Sequence, residues 1–237
     1  RRLCSLGVCA RSRQRLACFK RHWEGPDVSL LPPARVRPVR IVTGRLRGRT
    51  IPFNPKRHGD IRVTSGRLKE AVFDRLGSSL EELRFLDICA GSGQMALEAY
   101  SRGALVTAVE PDRRRRELLL QLLRDWGVSH LQLLGRCGQG ALTDLAAQNR
   151  RYDIIYLDPP YHARHDGQPL SEVLLSAVGH SGVLDADGSL LVQHPKEIDL
   201  SASVEGLERS GVRSHGTTIL SEYRSTCNDQ RAMTNVQ

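Results

Sequence analysis

Apolar and polar positions alternate in blocks along most of the chain, and the blocks predict strands and helices in turn. Short apolar runs predict buried strands at residues 84–88, 105–109, 131–134, 153–157 and 189–193. Longer segments with apolar residues three or four apart predict helices at residues 95–102, 113–125 and 169–178. Another helix is expected where Leu68, Val72 and Leu76 recur every four residues. Thr64 or Ser65 can serve as its N-cap.

This alternation predicts an α/β fold, a doubly wound and mostly parallel sheet of seven strands with helices on both faces. The segments 209–215 and 217–223 have no helix between them, so they predict a hairpin that places one antiparallel strand in the sheet. We expect residues 61–227 to form this domain and residues 36–60 to form a small basic β-hairpin before it. Residues 228–237 form a polar tail that is expected to be disordered.

A glycine turn lies between the first predicted strand of the sheet and the helix that follows. It contains Asp87, Ala90, Gly91, Ser92 and Gly93. Glycines there permit positive φ and let the backbone approach a ligand closely. The spacing is not a full GxGxxG, because position 96 is alanine, so a tight turn without a ligand is the alternative.

An acidic residue follows the next predicted strand. Glu110 lies about twenty residues beyond the glycine turn, where a carboxylate can accept hydrogen bonds from both ribose hydroxyls. Strand, glycine turn, helix, strand and acid therefore occur in the order that a nucleoside-containing cofactor requires. This order does not separate NAD from S-adenosylmethionine.

A second motif follows the predicted strand at residues 153–157. It consists of Asp158, Pro159, Pro160 and Tyr161. The prolines fix φ and remove two backbone donors, so the carboxylate and the carbonyls can accept hydrogen bonds from an exocyclic amino group. Tyr161 offers a flat face to an unstacked base. The alternative is a turn with a packing tyrosine, but the position downstream of the glycine turn favours amino-group methylation.

Basic residues concentrate at the N-terminal end of the chain. The net charge is +9, and residues 1–59 contain fifteen Lys or Arg against two acids, whereas the remainder carries twenty basic and twenty-four acidic side chains. Such an arm favours a polyanionic partner. Residues 37–51 alternate apolar and basic positions as a short strand pair does, and the phosphate contacts we predict are Arg40, Arg45, Arg47 and Arg49. An edge hairpin whose charges prevent aggregation is the alternative.

The chain resembles the RsmD-type methyltransferases, which modify the N2 amino group of a guanine in small-subunit rRNA. The matching segments are residues 40–49, 61–76, 87–104 and 152–161. The resemblance implies a Rossmann-like class I methyltransferase fold, S-adenosyl-L-methionine as methyl donor, and direct transfer to guanine N2. It also implies three sets of site residues. The catalytic set is Asp158, Pro159, Pro160 and Tyr161. The cofactor set is Asp87, Ala90, Gly91, Ser92, Gly93, Glu110, Pro111, Cys137 and Gly138. The RNA set is Arg40, Arg45, Arg47, Arg49, Arg62 and Arg67.

The sequence departs from the family pattern in two places that concern these sets. Val63 stands between Arg62 and Thr64, where the family has proline. No carboxylate follows the third strand until Asp144, although the family holds the adenine amino group with an acid there; backbone groups or Gln139 can substitute.

Two other functions remain open: a DNA amino-methyltransferase acting on adenine N6 or cytosine N4, and a non-catalytic RNA-binding relative. The expected partner is small-subunit rRNA or a ribosomal assembly particle, and the expected state is a monomer without metal. No apolar stretch has the length of a membrane span. We expect a cytoplasmic protein, or an organellar one if residues 1–35, a basic leader, act as a transit peptide. Upstream sequence that never folds is the alternative for that leader.

Overall fold

An eight-stranded sheet forms the centre of the computed structural model, which describes residues 39–59, 61 and 64–226. Its strands are β3 (Arg84–Asp87), β4 (Leu105–Val109), β5 (Leu131–Leu134), β6 (Tyr152–Leu157), β9 (Leu184–Pro195), β10 (Ser203–Val204), β11 (Leu207–His215) and β12 (Thr218–Ser225). Two separate strand pairs complete the β-structure, β1 (Val39–Arg40) with β2 (Thr50–Ile51), and β7 (Arg164–His165) with β8 (Gln168–Pro169).

Six helices accompany the strands in the described residues. They are α1 (Pro55–His58), α2 (Gly66–Leu76), α3 (Gln94–Ser101), α4 (Arg113–Asp125), α5 (Gly138–Ala147) and α6 (Leu170–Ser181). The predicted helices are confirmed within three residues at each end. Ser65, rather than Thr64, caps α2, because its Oγ accepts a hydrogen bond from the Leu68 amide at 3.3 Å.

The sheet order is β10-β11-β12-β9-β6-β3-β4-β5. The pairs from β9 to β5 are parallel and the other three pairs are antiparallel, so the predicted antiparallel strand is β12, which pairs with β9. The prediction of seven strands was one short. Glu205 and Gly206 both have positive φ, 46° and 77°, and this two-residue turn folds β10 back onto the edge of β11.

Helices cover both faces of the sheet. One apolar cluster joins α2, α3 and α4 to one face, and a second cluster joins α5 and α6 to the other. The two clusters explain why the central strands are apolar on both faces: Leu86 and Ile155 are fully buried in one cluster, and Phe85 is fully buried in the other. The predicted doubly wound, Rossmann-like architecture is confirmed.

The basic N-terminal segment has shorter strands than predicted. Only two residues on each side pair, and the chain between them, residues 41–49, forms turns in which Gly44 and Gly48 have φ of +81° and +86°. We call residues 40–49 the basic turn. The apolar alternation in this segment arises because Ile41 and Leu46 point into the core from a turn, not from a strand.

One buried carboxylate fastens the basic turn to α3. Glu98 accepts hydrogen bonds from the backbone amides of Val42 and Thr43, both at 3.0 Å, and pairs with the ammonium of Lys69 at 2.8 Å. The side chains of Glu98 and Lys69 are 0% and 3% exposed. The turn is therefore a fixed part of the domain.

Several sequence predictions lie outside the described residues. They concern the leader at residues 1–35, the start of the basic hairpin at residues 36–38, Arg62, the end of the domain at residue 227 and the tail at residues 228–237. Among the described helices, none combines the length and the apolar character that crossing a membrane requires.

Candidate active site

The glycine turn and the Asp-Pro-Pro-Tyr motif lie side by side at one edge of the sheet. β3 pairs with β6 in parallel, with Asp87 opposite Tyr156, and the Ile88 amide donates to the Tyr156 carbonyl at 3.0 Å. Both motifs follow the carboxyl ends of these strands, which is where open α/β sheets bind their ligands. The two motifs whose combination in the sequence favours amino-group methylation therefore lie next to each other.

Asp158 is half-buried and is held by a residue from a distant part of the chain. Thr64 Oγ1 donates a hydrogen bond to Asp158 Oδ2 at 2.8 Å. Thr64 itself is only 8% exposed. A residue outside the Asp-Pro-Pro-Tyr motif therefore orients the Asp158 carboxylate.

Tyr161 is fixed by a row of polar side chains behind the motif. Its hydroxyl donates to Thr218 Oγ1 at 3.0 Å and accepts from Gln193 Nε2 at 3.2 Å. The Gln193 Oε1 atom in turn accepts from the Tyr156 hydroxyl at 2.7 Å. These bonds hold the Tyr161 ring in one orientation, as a stacking platform requires.

Two prolines lie between Asp158 and Tyr161. We call these four residues, Asp158 to Tyr161, the corner. Pro159 is buried, and the carbonyl of Pro160 accepts the Ala163 amide at 2.9 Å. Within the described residues, no hydrogen bond uses the Pro159 carbonyl. That carbonyl therefore retains acceptor capacity for a ligand amino group.

Asp87 is the most perturbed acid of the site. It is 1% exposed, and neither carboxylate oxygen has a hydrogen-bond partner of standard geometry among the described residues. Burial, reinforced by the negative charges of Asp158 and Glu110, raises the pKa of Asp87 to about 8, although the amides of Cys89 and Ala96 oppose the shift. A cationic ligand beside Asp87 would favour the ionised form of its carboxyl group.

Glu110 connects the glycine turn to the start of α4. Its carboxylate accepts the amides of Gly91 and Asp112, both at 2.8 Å, and pairs with Arg115 at 3.0 Å. The residue is 2% exposed. A ribose at this position would approach a carboxylate that already holds three donors, so ribose binding by Glu110 stays a prediction.

The glycines of the turn are required by conformation and by packing. Gly91 and Gly93 have φ of +54° and +79°. A Cβ on Gly93 would lie 2.1 Å from a methyl group of Leu119 in α4, and a Cβ on Gly91 would lie 2.9 Å from the Ile61 Cδ1 atom. Leu119 of α4 and Ile61 therefore both lie against the turn. Ala90 and Ser92, the other predicted members of the turn, are buried beside them.

The remaining predicted cofactor residues follow β4 and β5. Cys137 precedes α5 as a free thiol, and Gly138 packs against Ile88, because a Cβ there would lie 2.9 Å from its Cγ2 atom. Pro111 directly follows Glu110 and is exposed. The first acid after β5 is Asp144, and its carboxylate pairs with the guanidinium of Arg136 at 2.9 Å.

The predicted RNA residues that the structure describes are all exposed: Arg40, Arg45, Arg47, Arg49 and Arg67. The guanidinium of Arg45 lies over the Tyr100 ring and that of Arg49 lies over Trp126, each at 5.4 Å from the centroid. These contacts leave the positive charges at the surface. Arg45 also pairs with the exposed Glu81 at 3.8 Å, and the four arginines at the start of α4 contact neighbouring carboxylates or a carbonyl.

Sequence reasoning missed three residues that hold the motif in place, Thr64, Gln193 and Thr218. Thr64 appeared only as an alternative helix cap and as the last residue of the altered Arg-Val-Thr pattern, and no local pattern indicates contacts across so many residues. In the part of the chain that the structure describes, no group of three or more His, Cys, Asp or Glu could hold a metal ion.

Comparison with known proteins identifies the family. The family model described as "Conserved hypothetical protein 95" matches residues 39–224. A Haemophilus influenzae relative named "Ribosomal RNA small subunit methyltransferase D" is 32% identical over 162 residues, covering 67% of this chain and 80% of the relative. The Escherichia coli protein of that name is 32% identical over 124 residues, covering 52% of this chain and 60% of its own length.

A solved structure agrees with this assignment. A Thermus thermophilus hypothetical protein, TTHA0928, superposes with a TM-score of 0.66 at 28% identity, covering 78% of this chain and 98% of that one. Because the family model spans most of the described sheet, fold and sequence support one conclusion. The chain belongs to the conserved hypothetical protein 95 family, and its resemblance to the RsmD-type methyltransferases is confirmed.

Proposed function

We propose that this protein is an S-adenosylmethionine-dependent methyltransferase that methylates the exocyclic N2 amino group of a guanine in small-subunit rRNA. The observation that carries the proposal is the placement of Asp158 and Tyr161, each held by hydrogen bonds, beside the acidic glycine turn. The relatives named as small-subunit rRNA methyltransferases support the RNA substrate.

The residues of the glycine turn fit the methyl donor. S-adenosylmethionine carries an ammonium and a sulfonium charge, and the buried Asp87 carboxyl, without a partner of standard geometry, suits the ammonium group. The turn at Gly91 lets the backbone approach the ligand, and Glu110 would bind the ribose. When bound, the donor supplies an electrophilic methyl group. Cys137 and Gly138 would lie along the adenine.

The acceptor side needs orientation more than proton removal. Asp158 and the Pro159 carbonyl would accept hydrogen bonds from the two N2 hydrogens, which directs the nitrogen lone pair at the methyl carbon. Tyr161 would stack on the base. Positive charge would develop on N2 as it took the methyl group from the sulfonium, and the Asp158 carboxylate would stabilise that charge. One N2 proton then leaves to solvent.

The basic turn supplies the RNA side of the proposal. Arg40, Arg45, Arg47 and Arg49 present exposed guanidinium groups on a segment fastened to α3, next to a domain core with an acidic balance. Phosphate contacts from such a segment position an RNA without reading its sequence. Arg67, at the start of α2, would extend this surface.

Transfer of a labelled methyl group tests the proposed substrate class. The chain is incubated with S-adenosylmethionine carrying a tritiated methyl group and with separate pools of small-subunit rRNA, large-subunit rRNA and duplex DNA. We expect label in small-subunit rRNA, prepared from cells that lack this modification. Label in DNA alone would support the DNA amino-methyltransferase, and RNA binding without any label would support a non-catalytic relative.

A further inference from the structure

We propose that Thr64 is a positioning residue for methyl transfer, which holds the Asp158 carboxylate in the orientation that receives the acceptor amino group. This inference rests on the proposed function and names a residue that the motif itself does not contain. The contact that carries it is the hydrogen bond from Thr64 Oγ1 to Asp158 Oδ2 at 2.8 Å, between residues 94 positions apart.

The location of Thr64 brings its hydroxyl to Asp158. The residue is 8% exposed and directly precedes Ser65, whose own hydroxyl caps α2. Ile61, three positions earlier, packs over Gly91 of the glycine turn. Ile61 therefore lies at the glycine turn, and Thr64 places its hydroxyl on the carboxylate of the neighbouring motif.

The surroundings make the Thr64 hydroxyl an important donor to Asp158. Asp158 lies close enough to Asp87 for its charge to raise the Asp87 pKa, so two acids share a poorly solvated region. A hydroxyl donor stabilises the ionised carboxylate and restricts its rotation about the Cβ–Cγ bond. A carboxylate has about four lone-pair positions, so Asp158 can hold the Thr64 hydroxyl and an acceptor N–H together.

Thr64 also connects Asp158 to Tyr161 through neighbouring polar side chains. The Thr64 hydroxyl lies beside the buried Tyr156 hydroxyl, which donates to Gln193. Gln193 holds Tyr161 from the other side. Thr64 thus completes a polar layer behind the corner, in which Asp158 and Tyr161 are fixed relative to each other.

Replacement of Thr64 by valine removes the hydroxyl and keeps the side-chain volume. We expect kcat to fall by on the order of a hundredfold, because a small misplacement of the reacting groups has an effect of that size. The KM for RNA and the affinity for S-adenosylmethionine should stay near the wild-type values, since Thr64 is assigned to neither. Thr64→Ser restores the hydroxyl and should recover most of kcat.

Ser65→Ala is the matched control. It removes the cap of α2 at the adjacent position and leaves the hydroxyl of Thr64 in place. Its kcat should stay near wild type, even where its melting temperature falls. If Thr64→Val does not fold, Thr64→Ala is measured in the same way, against Thr64→Ser.

Three outcomes overturn the positioning role while leaving the proposed function intact: wild-type kcat in Thr64→Val, equal losses in Thr64→Val and Thr64→Ser, or an equal loss in Ser65→Ala. A loss confined to KM would also overturn it. If the wild-type chain transfers methyl groups to no RNA, the proposed function and this inference fail together.

Discussion

At the scale of single residues, the site combines acids with very different surroundings. Asp158 is held by a hydroxyl at the mouth of the site, Glu110 is surrounded by three donors, and Asp87 is buried without a partner of standard geometry. The proposed function assigns Asp158 to the methyl acceptor, and Glu110 and Asp87 to the methyl donor. Each assignment has its own measurement.

Calorimetry with S-adenosylmethionine separates the two sides of the site. Asp158→Ala should bind the cofactor with nearly unchanged affinity and lose methyl transfer, because Asp158 is assigned to the acceptor. Glu110→Ala should weaken cofactor binding by roughly 1–3 kcal/mol through lost charge-assisted hydrogen bonds. Unchanged affinity in Glu110→Ala, with an intact fold by melting temperature, would remove Glu110 from the cofactor site.

Stability should depend on pH through Asp87. Its pKa rises from 3.8 to about 8 on folding, so between these values the folded state binds the proton and the unfolded state does not. The free energy of unfolding therefore falls as pH rises from about 4 to about 8. Asp87→Asn should flatten this dependence in urea unfolding at pH 5, 6.5 and 8. A wild-type stability that rises through the same range would contradict the assignment.

Sequence reasoning reached the residues of the two motifs but not the residues that support them. Gly91 and Asp158 stand in local patterns that a ligand or a tight turn demands. Thr64 and Gln193 reach the corner from other elements, and their roles depend on tertiary contacts that spacing does not encode.

At the scale of elements, the prediction succeeded where periodicity is strong. The α4 helix begins and ends where its apolar spacing predicted, because one face packs on the sheet. The hairpin of β7 and β8 was missed, although Asp166 and Gly167, both with positive φ, form the dipeptide that such turns favour. Strands of two residues are too short for an alternation to show.

The basic turn offers a matched pair of glycines. A Cβ on Gly44 would lie 1.7 Å from the Ser101 carbonyl oxygen, whereas Gly48, also at positive φ, has nothing within 4 Å of such an atom. Gly48→Ala should lower the free energy of unfolding by about 1 kcal/mol through strain alone. Gly44→Ala should lower the free energy of unfolding further and weaken RNA binding, because the clash with Ser101 would move the basic turn away from α3.

Urea unfolding and RNA titration of both variants check this expectation. Equal stability and equal RNA affinity in the two variants would show that docking of the turn on α3 does not matter for RNA.

At the scale of the whole molecule, charge separates binding from chemistry. The basic turn presents arginines outward, while the carboxyl edge of the sheet gathers Asp87, Glu110 and Asp158. In the proposed function, RNA phosphates and a cationic methyl donor would thereby be attracted to different places. The composition predicted a basic segment and a more acidic domain, but only the structure shows the turns on which the arginines lie.

Replacing Arg40, Arg45, Arg47 and Arg49 together by Gln should weaken RNA binding across sequences. If all four contact phosphates, the plot of log affinity against log salt concentration should become less steep, with the magnitude of its slope smaller by roughly 3. The control is Arg113→Gln with Arg114→Gln on α4, where the charges pair with Glu117 and Asp112. An equal effect in the control variant, or an unchanged slope in the four-arginine variant, would remove the basic turn from the RNA surface.

The central claim is that the corner at Asp158 methylates the N2 amino group of guanine. The most direct measurement is mass spectrometry of nucleosides from small-subunit rRNA after reaction with S-adenosylmethionine carrying a 13C-methyl group. The account predicts labelled N2-methylguanosine with the wild-type chain and none with Asp158→Ala. Label in N6-methyladenosine or in a methylated cytidine, or undiminished N2-methylguanosine with Asp158→Ala, would contradict it.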